Sequence, residues 1–297
     1  MDKLTQFLSA QPVVLGDGAM GTMLQAAGLT TGGSPEEWNV TRPEVLKGIY
    51  QAYTDAGAQI ITTNTFGCNR FRLGLHNFEH RVAEFNLAAV KTAREVAAAA
   101  DHEVLIAGDM GPTGEILFPL GTRMPEEARD AFAEQAAALA EGGVDFFLIE
   151  TMSALEEVEA AVEGIRVASS LPIAVTMTFD THFRTMMGIK PVQAVKALYD
   201  MGVRVLGANC GNGPGEIERV IGEMAAVKPA DAFLIAQSNA GLPKYETATK
   251  QIHYDGTPEV MAEYALKMKG LGINYIGACC GSTPMHIAAM RGALFDE

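Results

Sequence analysis

Positive charge is scarce in this chain. Its 297 residues carry 22 Lys and Arg against 36 Asp and Glu, a formal net charge of -14, and the basic residues nowhere cluster. Neutralising a phosphate backbone needs such clusters, so nucleic acid is not an expected partner. Long apolar runs are missing too. No stretch reaches the roughly 18 uninterrupted apolar residues of a membrane span. The opening "MDKLTQFLSAQP" has a lone lysine and too short an apolar segment for a secretory signal. A cytoplasmic location and no membrane contact are expected. No linker or shift in composition divides the chain, and with four cysteines and an expected cytoplasmic setting, structural disulfides are not expected.

Eight short β-rich runs are present instead: "PVVLGDGA", "AQIITTNTF", "EVLIAGDMGP", "VDFFLIET", "PIAVTMTFD", "VRVLGANCG", "FLIAQSNAG" and "INYIGACCG". Amphipathic segments rich in Ala, Leu and Glu lie between them. Several open on a proline suited to a first helical turn, at Pro43, Pro125, Pro191, Pro214, Pro258 and Pro284. Strands that read as nearly continuous apolar runs are buried on both faces, the condition of a parallel sheet. Eight such units without a break predict one (β/α)8 barrel, residues 1–297, over an open doubly wound sheet. With 48% apolar residues the chain can fill such a core.

In a barrel of this kind chemistry gathers where strands end. Polar residues stand at those places: Asp17, Thr63 with Asn64, Asp109, Glu150, Asp180, Cys210, Asn239, and Cys279 with Cys280. The first, in "GDGAMGT", lies within the G-x-G-x-x-G spacing of a dinucleotide-binding turn. That fingerprint expects a second strand ending in an acid about 20 residues on. Here the next strand ends in "TNTF" with no acid at its tip, and Asp17 would repel a pyrophosphate. The glycines therefore read as opening the first strand's mouth.

Cys210 in "LGANCGNG" and Cys279 with Cys280 in "IGACCGST" share one setting, a strand end running into a glycine turn. The sixth and eighth strand ends can bring three thiolates to one point. Soft thiolates favour zinc, and three protein ligands leave a fourth tetrahedral position open. A tris-thiolate zinc is a poor activator of water, because its ligands offset the metal's charge, but it binds a substrate thiol as a reactive thiolate. Transfer of an alkyl group to sulfur is the chemistry implied. Cys68 lacks such a setting and reads as a buried apolar residue. His182 and His253 read as solvated loop residues.

In order along the chain, "GDGAMGT", "TNTFG", "GDMGPTGE", "LIETM", "GANCG", "SNAGLP" and "GACCGSTP" resemble the homocysteine S-methyltransferase family over essentially the whole chain, most of all the homocysteine-binding module of cobalamin-dependent methionine synthases. The resemblance implies a zinc-containing (β/α)8 barrel with Cys210, Cys279 and Cys280 as ligands. It implies that Asp17, Gly18 and Glu150 hold the amino-acid end of homocysteine. A carboxylate can pair with the substrate ammonium, and a glycine lets its carboxylate reach the backbone. Asn239 is a candidate for the substrate or the metal's open position, and Glu115 for the donor side.

The betaine-using branch of that family resembles an aromatic cage for a quaternary ammonium. Here Gly67 and Thr151 stand where that branch carries tyrosines, leaving Trp38 as a possible single wall. No D-x-H-x-x-G cobalamin motif occurs. The expected donor is thus a methyl group on a separate corrinoid protein, or one derived from methylfolate. The alternative is a free methylated sulfonium or amine. From a different class comes a zinc-free acid/base enzyme using Asp17, Asp109 and Glu150, or a metal-binding protein without activity. No helix shows an exposed apolar stripe from which to read an oligomeric state.

Overall fold

The computed structural model describes residues 1–30, 32–247 and 251–296. Its strands, in chain order, are β1 (Val14–Leu15), β2 (Ile60–Thr62), β3 (Leu105–Met110), β4 (Phe146–Met152), β5 (Ile173–Met177), β6 (Val205–Cys210), β7 (Phe233–Ser238), β8 (Pro243–Glu246), β9 (Gln251–Tyr254) and β10 (Tyr275–Ala278). Eight of them form a parallel sheet in the order β1-β10-β7-β6-β5-β4-β3-β2. A parallel bridge between Gly16 and Ile60 joins the two ends, so the sheet closes into a barrel. Each expected run supplies one barrel strand, and the open-sheet alternative is set aside. β8 and β9 form an antiparallel hairpin after β7 that the run pattern did not anticipate.

A helix follows each barrel strand. Six of these helices carry proline in their first turn, at Pro43, Pro125, Pro191, Pro214, Pro258 and Pro284, where the missing N–H has no intrahelical partner to lose.

Strand side chains alternate between two cores. One phase, including Leu15, Ile61, Phe147, Val175 and Leu206, packs under the helices. The other phase, including Val14, Ile60, Leu105, Phe146, Val205 and Tyr275, fills the barrel. Leu4, Phe7 and Leu8, from the helix Lys3–Ser9, belong to this inner cluster and close the barrel at its N-terminal end. Lys3 pins that helix to Asp145 at 2.6 Å. Asp145 also pairs with Arg94 and accepts the N–H of Ile106.

Candidate active site

The strand phase that fills the barrel turns polar at the opposite end. Four residues beyond Leu105, Phe146 and Val205 stand Asp109, Glu150 and Asn209. With Asp17, Gly18 and the three cysteines, the two acids line a cavity of about 330 Å³ at the strands' C-terminal ends. Hydrogen bonds fix β1 beside β10 there. Ala278 N–H donates to the Asp17 carbonyl at 3.0 Å, and Ala19 N–H donates to Ser282 Oγ at 2.9 Å. The "GDGA" turn is thereby stitched to the turn that carries Cys279 and Cys280. A Cβ at Gly18 would overlap Ser282 Oγ and touch the Tyr53 ring, so this close approach requires glycine.

The Sγ atoms of Cys210, Cys279 and Cys280 lie within 4.8 Å of one another, among the described residues the one group of three or more His, Cys, Asp or Glu placed to share an ion. All four cysteines are free. Two sulfurs bound to one tetrahedral zinc stand about 3.8 Å apart, so the triad has the reach the metal needs. Cys210 and Cys279 approach to 2.7 Å. As thiolates they would repel at that distance unless a proton or a cation sat between them. Hydrogen bonds from Cys210 and Cys279 hold the Cys280 thiol down, to about 3. The same sulfur contacts, with Cys210 foremost, and burial hold the proton on Cys279. One negative charge shared by three crowded sulfurs, with the strand ends already folded around them, fits a soft cation. The Tyr254 ring, on β9, covers Gly281, and its hydroxyl hydrogen-bonds to Cys280.

Two non-glycine residues of the site have left-handed backbone, Cys210 at φ 60° and Thr151 at φ 61°. For a β-branched residue this is a strained conformation. Thr151 lies in an irregularity where β4 runs Ile149 to Met152 against Val175 to Met177 of β5, one residue more than its neighbour. Such a bulge re-aims what it carries. The Thr151 N–H turns onto Asn209 Oδ1 at 3.0 Å, and Asn209 Nδ2 donates back to Thr151 Oγ1 at 2.7 Å. Asn209 is fully buried and was not singled out from sequence. Its one local signal was its inward phase on β6, two residues beyond Gly207.

Asp17, Asp109 and Glu150 face a cavity whose lining includes a fourth acid, Glu36, and, among the described residues, no Lys, Arg or His. Both Asp17 oxygens are occupied by Thr62, at 2.7 Å from its N–H and 3.0 Å from its hydroxyl. Burial nevertheless pushes the Asp17 carboxyl up to about 7. Burial, then the negative charges of Asp17 and Cys280, push Glu150 up to about 8. Asp109 is held well above the usual carboxylate range, by burial first and then by Glu150, Asp17 and Glu36, and its Oδ1 is buried with no hydrogen-bond partner. These groups resist ionising together until a cation enters.

Thr63 and Asn64 line the cavity as well, whereas Asp180, Asn239, Glu115 and Trp38 fall outside it. Asn239 does not line the cavity; its Nδ2 donates to the Gly211 carbonyl at 2.6 Å and steadies the turn after Cys210, and its Oδ1 is buried without a partner. Glu115 lies beyond the cavity lining, 3.6 Å from Arg123. Trp38 is not a cage wall: it is buried in the core under the helices, with Arg42 over its ring at 4.6 Å. At Gly67 a side chain would run into the Glu36 carboxylate, which accepts the Gly67 N–H at 3.0 Å. Phe66 is the one aromatic ring among the cavity's described lining residues. Cys68 is buried in a cluster with Leu73, Val82 and Phe85. His182 and His253 are exposed.

The sequence pattern of a family described as homocysteine S-methyltransferase matches residues 14–294. The chain is 36% identical over 300 residues to a methionine synthase of Mycobacterium leprae and 35% identical over 300 residues to that of Mycobacterium tuberculosis. Each match covers 96% of this chain but only 24% and 25% of those proteins, so the chain spans about a quarter of their length. Among solved structures it is similar to the metallated form of the homocysteine methyltransferase MmuM from Escherichia coli. The TM-score is 0.81 at 22% identity, over 97% of this chain and 99% of that one, a likeness of fold.

Proposed function

Because the chain belongs to the homocysteine S-methyltransferase family, we propose that its barrel, residues 1–297, binds homocysteine and moves a methyl group onto the thiol to give methionine. The observation that carries this reading is the Cys210, Cys279 and Cys280 triad in one cavity with the carboxylates of Asp17 and Glu150 and the bare backbone of Gly18. The three sulfurs would hold zinc. Bound there, zinc supplies a Lewis acid that keeps the substrate sulfur deprotonated at neutral pH, while three anionic ligands preserve its nucleophilicity.

The remaining work falls to the chain's own side chains. Glu150 and Asp17 receive the substrate ammonium, whose charge offsets the burial that keeps their protons on. The Gly18 backbone takes the carboxylate end, where a side chain would not fit. Asn239 contributes from behind the Cys210 turn. With the amino-acid end fixed, the sulfur has one direction to point. It attacks the methyl carbon, the new C–S bond forms, and the donor departs with the electron pair of its methyl bond.

For the donor we propose a methyl-corrinoid carried by another protein or module, or a methylfolate-derived methyl, a reading supported by the likeness to methionine synthases. The cavity's charge favours a second reading. With four acids and no basic side chain among the described lining residues, a small methylated sulfonium or amine would be drawn in where an anionic donor would be repelled.

One experiment tests both halves. Zinc is quantified in the purified protein and in Cys210→Ala, and loss of homocysteine thiol is followed with methylcobalamin, a methyl-corrinoid protein, methyltetrahydrofolate, betaine and a methylated sulfonium. One zinc per chain, lost in Cys210→Ala, and methionine formed with at least one donor are expected. A wild-type chain without zinc, or no methionine from any donor, overturns the reading.

A further inference from the structure

Asn209 has a geometry that a strand brace alone does not need. Its Oδ1 accepts from the Thr151 N–H at 3.0 Å and the Thr176 hydroxyl at 3.0 Å. A backbone N–H can only donate, so the amide's orientation is forced, with nitrogen on the other side. One hydrogen of that nitrogen goes to Thr151 Oγ1 at 2.7 Å. The other faces the sulfurs of Cys210 and Cys279, with Nδ2 3.8 Å and 4.0 Å away. Thr178 Oγ1 donates to the Asn209 carbonyl at 2.8 Å, so its backbone is held as well as its side chain. The left-handed backbone at Thr151 and at Cys210 serves this arrangement, turning the Thr151 N–H onto the amide and the Cys210 sulfur in front of it.

We propose that Asn209 is a positioning residue for the metal-binding thiolates, aiming one side-chain N–H at Cys210 and Cys279 so that it fixes their orientation and withdraws charge from them. The proposal rests on the zinc reading above. An N–H directed at a thiolate stabilises its negative charge in a buried setting and keeps the sulfur turned toward the cation. It also moderates how much charge the ligands give the metal, and hence how reactive a fourth, substrate sulfur remains. The fixed amide does this without a mobile group in the cavity. Asn209 touches neither substrate nor donor in this account and acts through the cysteines.

The test uses the full chain with metal alone. Zinc affinity is measured by competition with a chromophoric chelator, and the sulfur-to-metal charge-transfer band is recorded with cobalt(II) in place of zinc. Asn209→Leu is expected to bind zinc about 10–100-fold more weakly, as losses of groups behind metal ligands do. Its cobalt band is expected at lower energy, since sulfurs without the N–H are richer in electrons. Thr176→Val removes a strand tie to Oδ1 and leaves the N–H in place, so its zinc affinity and band should match the wild type. Should Asn209→Leu not fold, Asn209→Asp carries the test. It keeps an acceptor for Thr151 and Thr176, loses the N–H, and is again expected to move the band to lower energy.

An unmoved band and affinity in the Asn209 variants overturn the proposal, as does an equal change in Thr176→Val, which would make Asn209 a brace and nothing more. A wild-type chain that binds no zinc overturns the zinc reading itself and is thereby distinguished from a failure of this inference.

Discussion

Asp17 and Glu150 hold their protons near neutrality because burial penalises their charge, with pKa values raised to about 7 and about 8. An acid whose folded pKa lies above its unfolded one contributes its full stability below the unfolded value, and loses it as pH rises through the folded value. The ligand-free protein should therefore lose thermal stability between about pH 4 and about pH 8, by several kcal/mol in all. Asp17→Asn should flatten part of that fall. Scanning calorimetry across this range checks it, and a wild-type melting temperature that stays level would contradict the assignment. Homocysteine should raise the melting temperature more at pH 8 than at pH 6, since its ammonium pairs with the ionised acids. Glu150→Gln should raise the KM for homocysteine roughly 10- to 100-fold with a smaller effect on kcat, because one charge-assisted hydrogen bond is worth about 1.5–3 kcal/mol. An unchanged KM would remove Glu150 from the substrate site.

Among the elements, the N-terminal helix and the β4 bulge do opposite work. The helix Lys3–Ser9 closes the barrel end away from the site, burying Leu4 and Leu8 almost completely. Leu8→Ala should cost about 2–5 kcal/mol, read as a shift of the urea midpoint, since a buried leucine lost there leaves a cavity. Its zinc content should be unchanged, because the cysteines stand at the other end of the strands. Loss of zinc in Leu8→Ala would show that the two ends are coupled. The bulge at Glu150 and Thr151, in contrast, adds strain at the lining of the candidate site. The hairpin of β8 and β9 places Tyr254 against the cysteine turn.

At the scale of the molecule, the barrel has two large apolar cores of its own, so it is expected to fold without metal. Stripping zinc with a chelator should lower the melting temperature by several degrees yet leave the far-ultraviolet circular dichroism intact. Zinc present at a thousand times its Kd stabilises by about 4 kcal/mol, whereas the cores are unaffected. Loss of the dichroism signal on chelation would make the site structural. Among the described residues no helix is long and apolar enough to cross a membrane.

Sequence by itself determined the strand and helix alternation, the proline-led helices and the three cysteines, because each is a local pattern: apolar runs, first-turn prolines and thiols beside glycines. Asp17 and Glu150 were legible for the same reason, as acids at the ends of apolar runs. Tertiary structure alone decided what depends on strands meeting. Asn209 precedes a recognised cysteine, yet its proposed role follows from the register of β4, β5 and β6, which brings Thr151 and Thr176 to its oxygen. Asn239 and Trp38 stood at sensible places in the sequence, but backbone ties and core packing turned one toward Gly211 and buried the other. Residue type and spacing fix which groups a strand can offer. Which of them face one another across a closed barrel is set by register and bulges, and those exist only once the ring has formed.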